Sequence, residues 1–186
     1  MEAPNLQVSI EDYYEFVDHP ENRDRLFELI DGEFVEKMGS FTPAYIATLI
    51  STYINLYLFS NPIGRASGAD GTFRMSNQDM LIPDVAFISL GQMPDLPDCI
   101  ALIPPDLAIE VKSSNDKKKN MRQKAQRYLD NGTLLVWLVF PESRTVEVYD
   151  GDNDVVTLGM DDTLTGGDVL PGFTLRVADI FGRLDR

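Results

Sequence analysis

The sequence predicts a mixed α/β domain: a mixed β-sheet flanked by helices, with an N-terminal and a C-terminal β-hairpin. Three observations carry that expectation. Asp31-Gly32 separates the apolar-rich runs RLFELI and EFVEKM, and Asp-Gly between two such runs is the strongest short-range hairpin cue. LAIEVK and LLVWLVF flank the helical pattern KKKNMRQKAQRYLDN, and strand, helix, strand implies a right-handed crossover between parallel neighbours. Finally, TVEVYD, the GDND turn and VVTLG form a second alternating pair ahead of the closing segment LPGFTLRVADIF.

Taken in order, Ser9 and Asp12 form a capping box with a short acid, and Ile10, Tyr13, Tyr14, Phe16 and Val17 give the first helix its apolar face. His19, before Pro20, marks its end. After the hairpin, Met38 to Gly64 contains no charged residue, a run long enough in principle to span a bilayer. Thr48, Ser51, Thr52 and Asn55 recur through it, so it reads instead as a buried helix with Thr42 as N-cap and Pro43 in its first turn. Ile46, Leu49, Ile50, Tyr53, Ile54 and Tyr57 share one broad face, which also suits a subunit interface. Gly64, Gly68 and Gly71 then divide short extended pieces that continue the sheet, with TFRM and VAFIS as strands.

QMPDLPDCIALIPPD reads as an irregular surface connection. Asn115 or Asp116 is positioned to cap the next helix, on which Met121, Ala125, Tyr128 and Leu129 share a face and which Gly132 closes. LLVWLVF is apolar throughout, as expected of a central strand covered on both faces, and places Trp137 in the core.

Composition narrows the chemistry. At 186 residues with 44% hydrophobic side chains, the chain suits one domain over residues 1–186. Its formal charge of -14 excludes a surface coated in nucleic acid, so an anionic partner has to meet a local basic patch. The single cysteine, Cys99, rules out an internal disulfide and reads as a small buried filler. The single histidine, His19, removes His-rich metal centres. The acidic start MEAPNLQVSIEDYYEF does not resemble an export signal, and the expected location is the cytoplasm, with no membrane association.

In LAIEVK, Leu107, Ile109 and Val111 alternate with Ala108, Glu110 and Lys112, so Glu110 and Lys112 project together. Asp84 opens the strand VAFIS and brings a second carboxylate toward the same end. Hard divalent cations such as Mg2+ or Mn2+ take oxygen ligands, and two carboxylates leave room for water and a substrate phosphate. DGDND is the weaker candidate, because Val155 stands where a calcium loop needs glycine.

Pro83-Asp84 and Glu110-Val111-Lys112 resemble the PD-(D/E)XK signature of the restriction-endonuclease-like nucleases. More narrowly, ELIDGE, IPDVAFIS, PPDLAIEVKS, the helix ending in Tyr128, VWLVFPESRTVEVY and LPGF resemble the Uma-two family of that superfamily. The resemblance implies a restriction-endonuclease-like sheet and metal-dependent phosphodiester hydrolysis. Asp84 and Glu110 would be metal ligands, Lys112 the catalytic lysine, and Glu28 or Glu33 the additional acid. Relatives often carry a histidine after the first hairpin, where this chain has Pro43-Ala44-Tyr45.

Charge distribution adds an independent observation. Lys112 to Arg127 holds seven basic residues against Asp116 alone, and the rest of the chain is left with nine basic and twenty-nine acidic residues. Lys117, Lys118, Lys119, Arg122, Gln123 and Lys124 are therefore candidates to hold a nucleic-acid backbone, and lysines at a helix N-terminus oppose its dipole unless an anion compensates. The combined expectation is an Mg2+- or Mn2+-dependent endonuclease acting on nucleic acid, with DNA the expected polymer and a homodimer the expected assembly. The alternative is a non-catalytic nucleic-acid or protein binding module that keeps the fold.

Overall fold

Short-range hydrogen bonds set the first elements. Ser9 Oγ accepts from the Asp12 amide while Asp12 Oδ2 accepts from the Ser9 amide, which starts α1 (Ile10–Asp18) with the expected box. His19 caps its C-terminus. Strands β1 (Phe27–Ile30) and β2 (Glu33–Glu36) pair antiparallel across Asp31 and Gly32, whose φ values of 54° and 81° suit the two left-handed positions of a type I′ turn. The computed structural model describes residues 8–151, 155–182 and 184.

Helix α2 (Phe41–Ser60) buries Ile46, Ala47, Ile50, Ile54 and Leu58, and Leu49, Tyr53 and Tyr57 are half-buried. It starts one residue before the expected N-cap: Ser40, not Thr42, occupies the cap, without a side-chain hydrogen bond. Among the described residues, no helix is long and apolar enough to cross a membrane.

The extended pieces after α2 separate into two sheets, where one continuous sheet was expected. Strands β4 (Phe73–Arg74) and β5 (Met80–Leu81) join the N-terminal hairpin in the order β2-β1-β5-β4, through the pairing of Leu29 with Met80. The larger sheet contains β3 (Gly64–Ser67), β6 (Val85–Ser89), β7 (Leu107–Val111), β8 (Leu135–Phe140), β9 (Thr145–Tyr149) and β10 (Val156–Leu158), ordered β10-β9-β8-β7-β6-β3. Its β7–β8 pair is parallel, with Glu110 opposite Leu138, and the crossover between them is α3 (Lys118–Asp130). Strands β11 (Thr163–Gly166) and β12 (Leu170–Arg176) form the last hairpin, followed by α4 (Val177–Phe181).

Both faces of the six-stranded sheet are covered, which is why β7 and β8 read as almost unbroken apolar runs. One face, with Val85, Phe87, Ile109, Trp137 and Val139, packs on α2, the last hairpin and α4. The other, with Ala86, Ile88, Ala108, Val136 and Leu138, packs on Met121, Ala125 and Tyr128 of α3. Full burial of one large apolar side chain contributes roughly 1.5–3 kcal/mol against about 0–1 kcal/mol for an exposed ion pair, so these two layers fix the strands that carry the site.

Two smaller expectations are corrected. Helix α3 takes Lys117 as N-cap rather than Asn115 or Asp116, because Asp116 Oδ2 instead accepts from the Ser113 amide at 2.7 Å and closes the preceding turn. Cys99 is exposed, not a core filler, since it lies in the proline-punctuated connection outside both apolar layers. Asp152 and Asp154 of the DGDND turn lie outside the described residues.

Candidate active site

A cleft of about 1090 Å³ opens where the two sheets meet α2 and α3. Its floor is charged. Asp84, just before β6, anchors itself across the strands: Oδ2 accepts from the Val111 amide at 2.8 Å, and the Asp84 amide donates to Ile109 O at 3.0 Å. Glu110, on the α3 side of β7, accepts from the Tyr128 hydroxyl at 2.8 Å. Glu28, from β1, accepts from the Ile82 amide at 2.7 Å. Three distant chain segments thus deliver three carboxylates, each held by a donor that orients it.

The positive charge among them comes from a residue whose role the sequence did not indicate. Lys124 Nζ lies 2.7 Å from Glu110 Oε1, 2.7 Å from Glu28 Oε1 and 3.0 Å from Glu28 Oε2. Its position four residues before Tyr128 is the missed signal, because one helical turn brings the ammonium and the phenol to the same carboxylate. A second ammonium, from Lys37 just beyond β2, lies 2.9 Å from Asp84 Oδ1 and also donates to Ile82 O.

Lys112 continues the ladder, its amide donating to Val139 O at 2.9 Å, so it keeps the Glu110 side of the strand. Its ammonium donates to Ser113 O at 2.9 Å and pairs with Glu142 Oε1 at 3.1 Å. Lys112 does not line the cleft, and neither does Glu33, which is exposed at the start of β2; of the two N-terminal acids, Glu28 is the one at the floor.

The basic helix divides its side chains between several directions. Lys124 reaches the floor and Gln123 lines the wall. Arg122 turns to the far side and forms a two-pronged pair with Glu147 at 3.0 and 2.5 Å. Lys118 lies over the Phe140 ring, 4.9 Å from its centroid, while Lys117 and Lys119 are exposed. Arg127 binds Asp31 and Asp79 at 2.7 Å, tying α3 to the hairpin and to the turn before β5.

Burial dominates the electrostatics. It lifts the Glu110 carboxyl above its ordinary value, with Lys124 and Lys37 opposing the shift and Asp84 and Glu28 adding to it. Burial alone would pull Lys124 down, but Glu110 and Glu28 hold its ammonium above the ordinary lysine value. Tyr128 is raised well above its usual value by burial and by the same two carboxylates, so it stays a neutral donor to Glu110.

A family model described as Uma2, "Putative restriction endonuclease", matches residues 10–178. The chain belongs to the Uma2 family. Its fold resembles a crystal structure described as that of "a putative nuclease belonging to DUF820 from Anabaena variabilis", with a TM-score of 0.80 and 23% identity over 91% of this chain and 97% of that one. No curated protein matches the sequence. Membership of Uma2, together with this fold, supports a nuclease.

The donor set of this Uma2 chain suits a hard divalent cation. Mg2+ is commonly held by one or two carboxylates with water and phosphate completing its shell. Asp84 Oδ1 and Glu110 are the carboxylate groups that fit that role. Both oxygens of Glu28 are engaged with Lys124, which makes Glu28 the partner that holds the lysine. Among the described residues, no group of three His, Cys, Asp or Glu side chains is arranged to hold a metal ion.

Proposed function

We propose that this protein is an endonuclease that hydrolyses phosphodiester bonds in nucleic acid, with DNA as its polymer, at the floor of the cleft. The observation that carries this reading is that Glu28 and Glu110 converge on the half-buried Lys124 from a fourth segment, while Asp84, paired with Lys37, lines the same cleft. A scaffold has no evident need to place two buried acids, a half-buried third and an ammonium at the bottom of an open cleft.

Asp84 and Glu110 would hold Mg2+ or Mn2+, which when bound polarises the phosphoryl oxygens and lowers the pKa of a coordinated water. Tyr128 orients Glu110 from behind. Lys124, kept protonated by Glu28, supplies fixed positive charge beside the position of the phosphate, and such preorganised charge stabilises the pentacovalent transition state without a histidine base. Lys112 holds a second reading of the lysine role, favoured by its place on the Glu110 side of β7; its ammonium would exchange Glu142, an exposed partner, for substrate. Exposed Lys117 and Lys119 and the cleft-lining Gln123 supply contacts to the backbone of the polymer. Exposed Phe41, Leu56 and Phe59 on α2 support a homodimer, and the free Cys99 fits the reducing cytoplasm.

The non-catalytic alternative is favoured by one observation: Arg122, Lys124 and Arg127 are all engaged by carboxylates, which reduces the cationic surface that the helix offers. Scission of single- and double-stranded DNA and RNA with Mg2+, Mn2+ or chelator separates the readings. Metal-dependent products from the wild type, absent with Asp84→Asn, are the expected result. Comparing Lys112→Met with Lys124→Gln assigns the lysine. No product from a folded protein that binds Mn2+ would move the assignment to the binding module.

A further inference from the structure

Asp84 has one oxygen to offer a cation, and an ammonium already holds it. Oδ2 is engaged by the Val111 amide at 2.8 Å, an interaction built into the strand geometry. Oδ1 lies 2.9 Å from Lys37 Nζ, and the two side chains are only 17% and 15% exposed, so water screens the pair weakly. Lys37 is fixed at its base, where its amide donates to Leu26 O at 2.8 Å, and its flexible stem leads from β2 along the cleft wall.

We propose that Lys37 is an internal competitor for the metal position: its ammonium occupies Asp84 Oδ1 in the metal-free protein, leaves when a divalent cation binds, and so sets the metal affinity of the site. The inference rests on the metal-dependent reading above. Of the two ammoniums, Lys37 is the one that yields. Lys124 contacts three carboxylate oxygens of two residues, whereas Lys37 contacts one carboxylate oxygen and the Ile82 carbonyl. A divalent ion brings twice the charge to Oδ1 at roughly 2.1 Å rather than ammonium distance, so it displaces Lys37 once its concentration is sufficient. The freed side chain swings into the cleft, since its four-carbon stem allows the ammonium to move without the backbone.

The test is direct titration of the full chain with Mn2+ alone, with free Mn2+ followed by electron paramagnetic resonance, on wild type, Lys37→Met, Lys37→Gln, Lys37→Arg and Asp84→Asn. The two neutral variants are expected to bind Mn2+ at least about tenfold more tightly than wild type. Lys37→Arg, which keeps the charge, should stay within about threefold of wild type, and Asp84→Asn should lose at least about tenfold. Thermal melts identify any variant that fails to fold, and the two neutral replacements make the result independent of either one. Unchanged or weaker binding by the folded neutral variants, with Asp84→Asn still impaired, overturns the competitor role and leaves the metal site standing. Absence of binding by every protein, wild type included, overturns the metal-dependent reading and this inference together.

Discussion

Replacing Lys124 with Met is expected to leave two buried carboxylates without their shared cation. Their side chains are 8% exposed for Glu28 and 9% for Glu110, so solvent offers little compensation. Removing one partner of a buried ion pair costs about 3–5 kcal/mol, and Met recovers only the packing of the stem. Total stability for a domain is about 5–15 kcal/mol, so this is a large fraction of it. With a urea slope of about 1–3 kcal/mol per molar, the midpoint should fall by roughly 1–5 M. Trp137 is the sole tryptophan and is fully buried, which gives a fluorescence signal for the unfolding of the core. The double variant Glu28→Gln/Lys124→Met removes one stranded charge while its amide oxygen can still accept from Ile82, and it should regain at least half of the loss. A loss below about 1 kcal/mol in the single variant, or no recovery in the double, would refute the argument that the ammonium neutralises a desolvated acid pair.

Three further outcomes follow from other contacts. Gly32→Ala forces a side chain into a left-handed position at φ 81° and should cost about 1 kcal/mol, measured by urea unfolding. Tyr128→Phe deletes the hydroxyl donor to Glu110 and should cost about 1–2 kcal/mol in the same assay while weakening Mn2+ binding, because the carboxyl becomes harder to ionise. The pH dependence should have two limbs of opposite sign. Burial raises Glu110, so its contribution is full below the ordinary carboxylate value of about 4.3 and is lost as pH rises through its raised value; saturating Mn2+ should reverse that loss. Burial by itself would raise Glu147 too, but hydrogen bonds from Arg122 and Tyr149 hold it below its ordinary value. Its contribution is present above about 4.3 and disappears as pH falls through the lowered value, and Glu147→Gln should remove that acid limb from the stability profile.

Features specified by neighbouring residues were accessible from sequence. The Asp31-Gly32 turn, the Ser9–Asp12 box, the alternation in LAIEVK and the apolar run of β8 all act over a few positions, and each forms the expected element. The separation into two sheets depends on the pairing of Leu29 with Met80, and no local pattern announces such a distant register. The site divides in the same way. Glu110 stands on a strand whose period identifies its face and Asp84 immediately precedes the neighbouring strand, but the destination of each lysine depends on tertiary partners. Lys124 looks like one member of a basic helix until Glu28 is placed beside it, and Lys112 turns to Glu142, a residue fixed only by the turn after β8. Charge clustering in the sequence therefore overstated the cationic surface, because it counted cations before their acids were known.

Glu28 and Lys124 are 96 positions apart in the chain, and that separation governs when the site can exist during synthesis. A ribosome moving at about 5–20 residues per second has made all three acids before the lysine emerges. Until α3 has crossed over and docked, Glu28 and Glu110 lack the charge that allows them to be buried, so the N-terminal sheet cannot close onto the larger one at full stability. Closing so long a loop is also slow to nucleate. The cleft is therefore among the last parts to mature, and an incomplete nascent chain lacks its assembled charged floor.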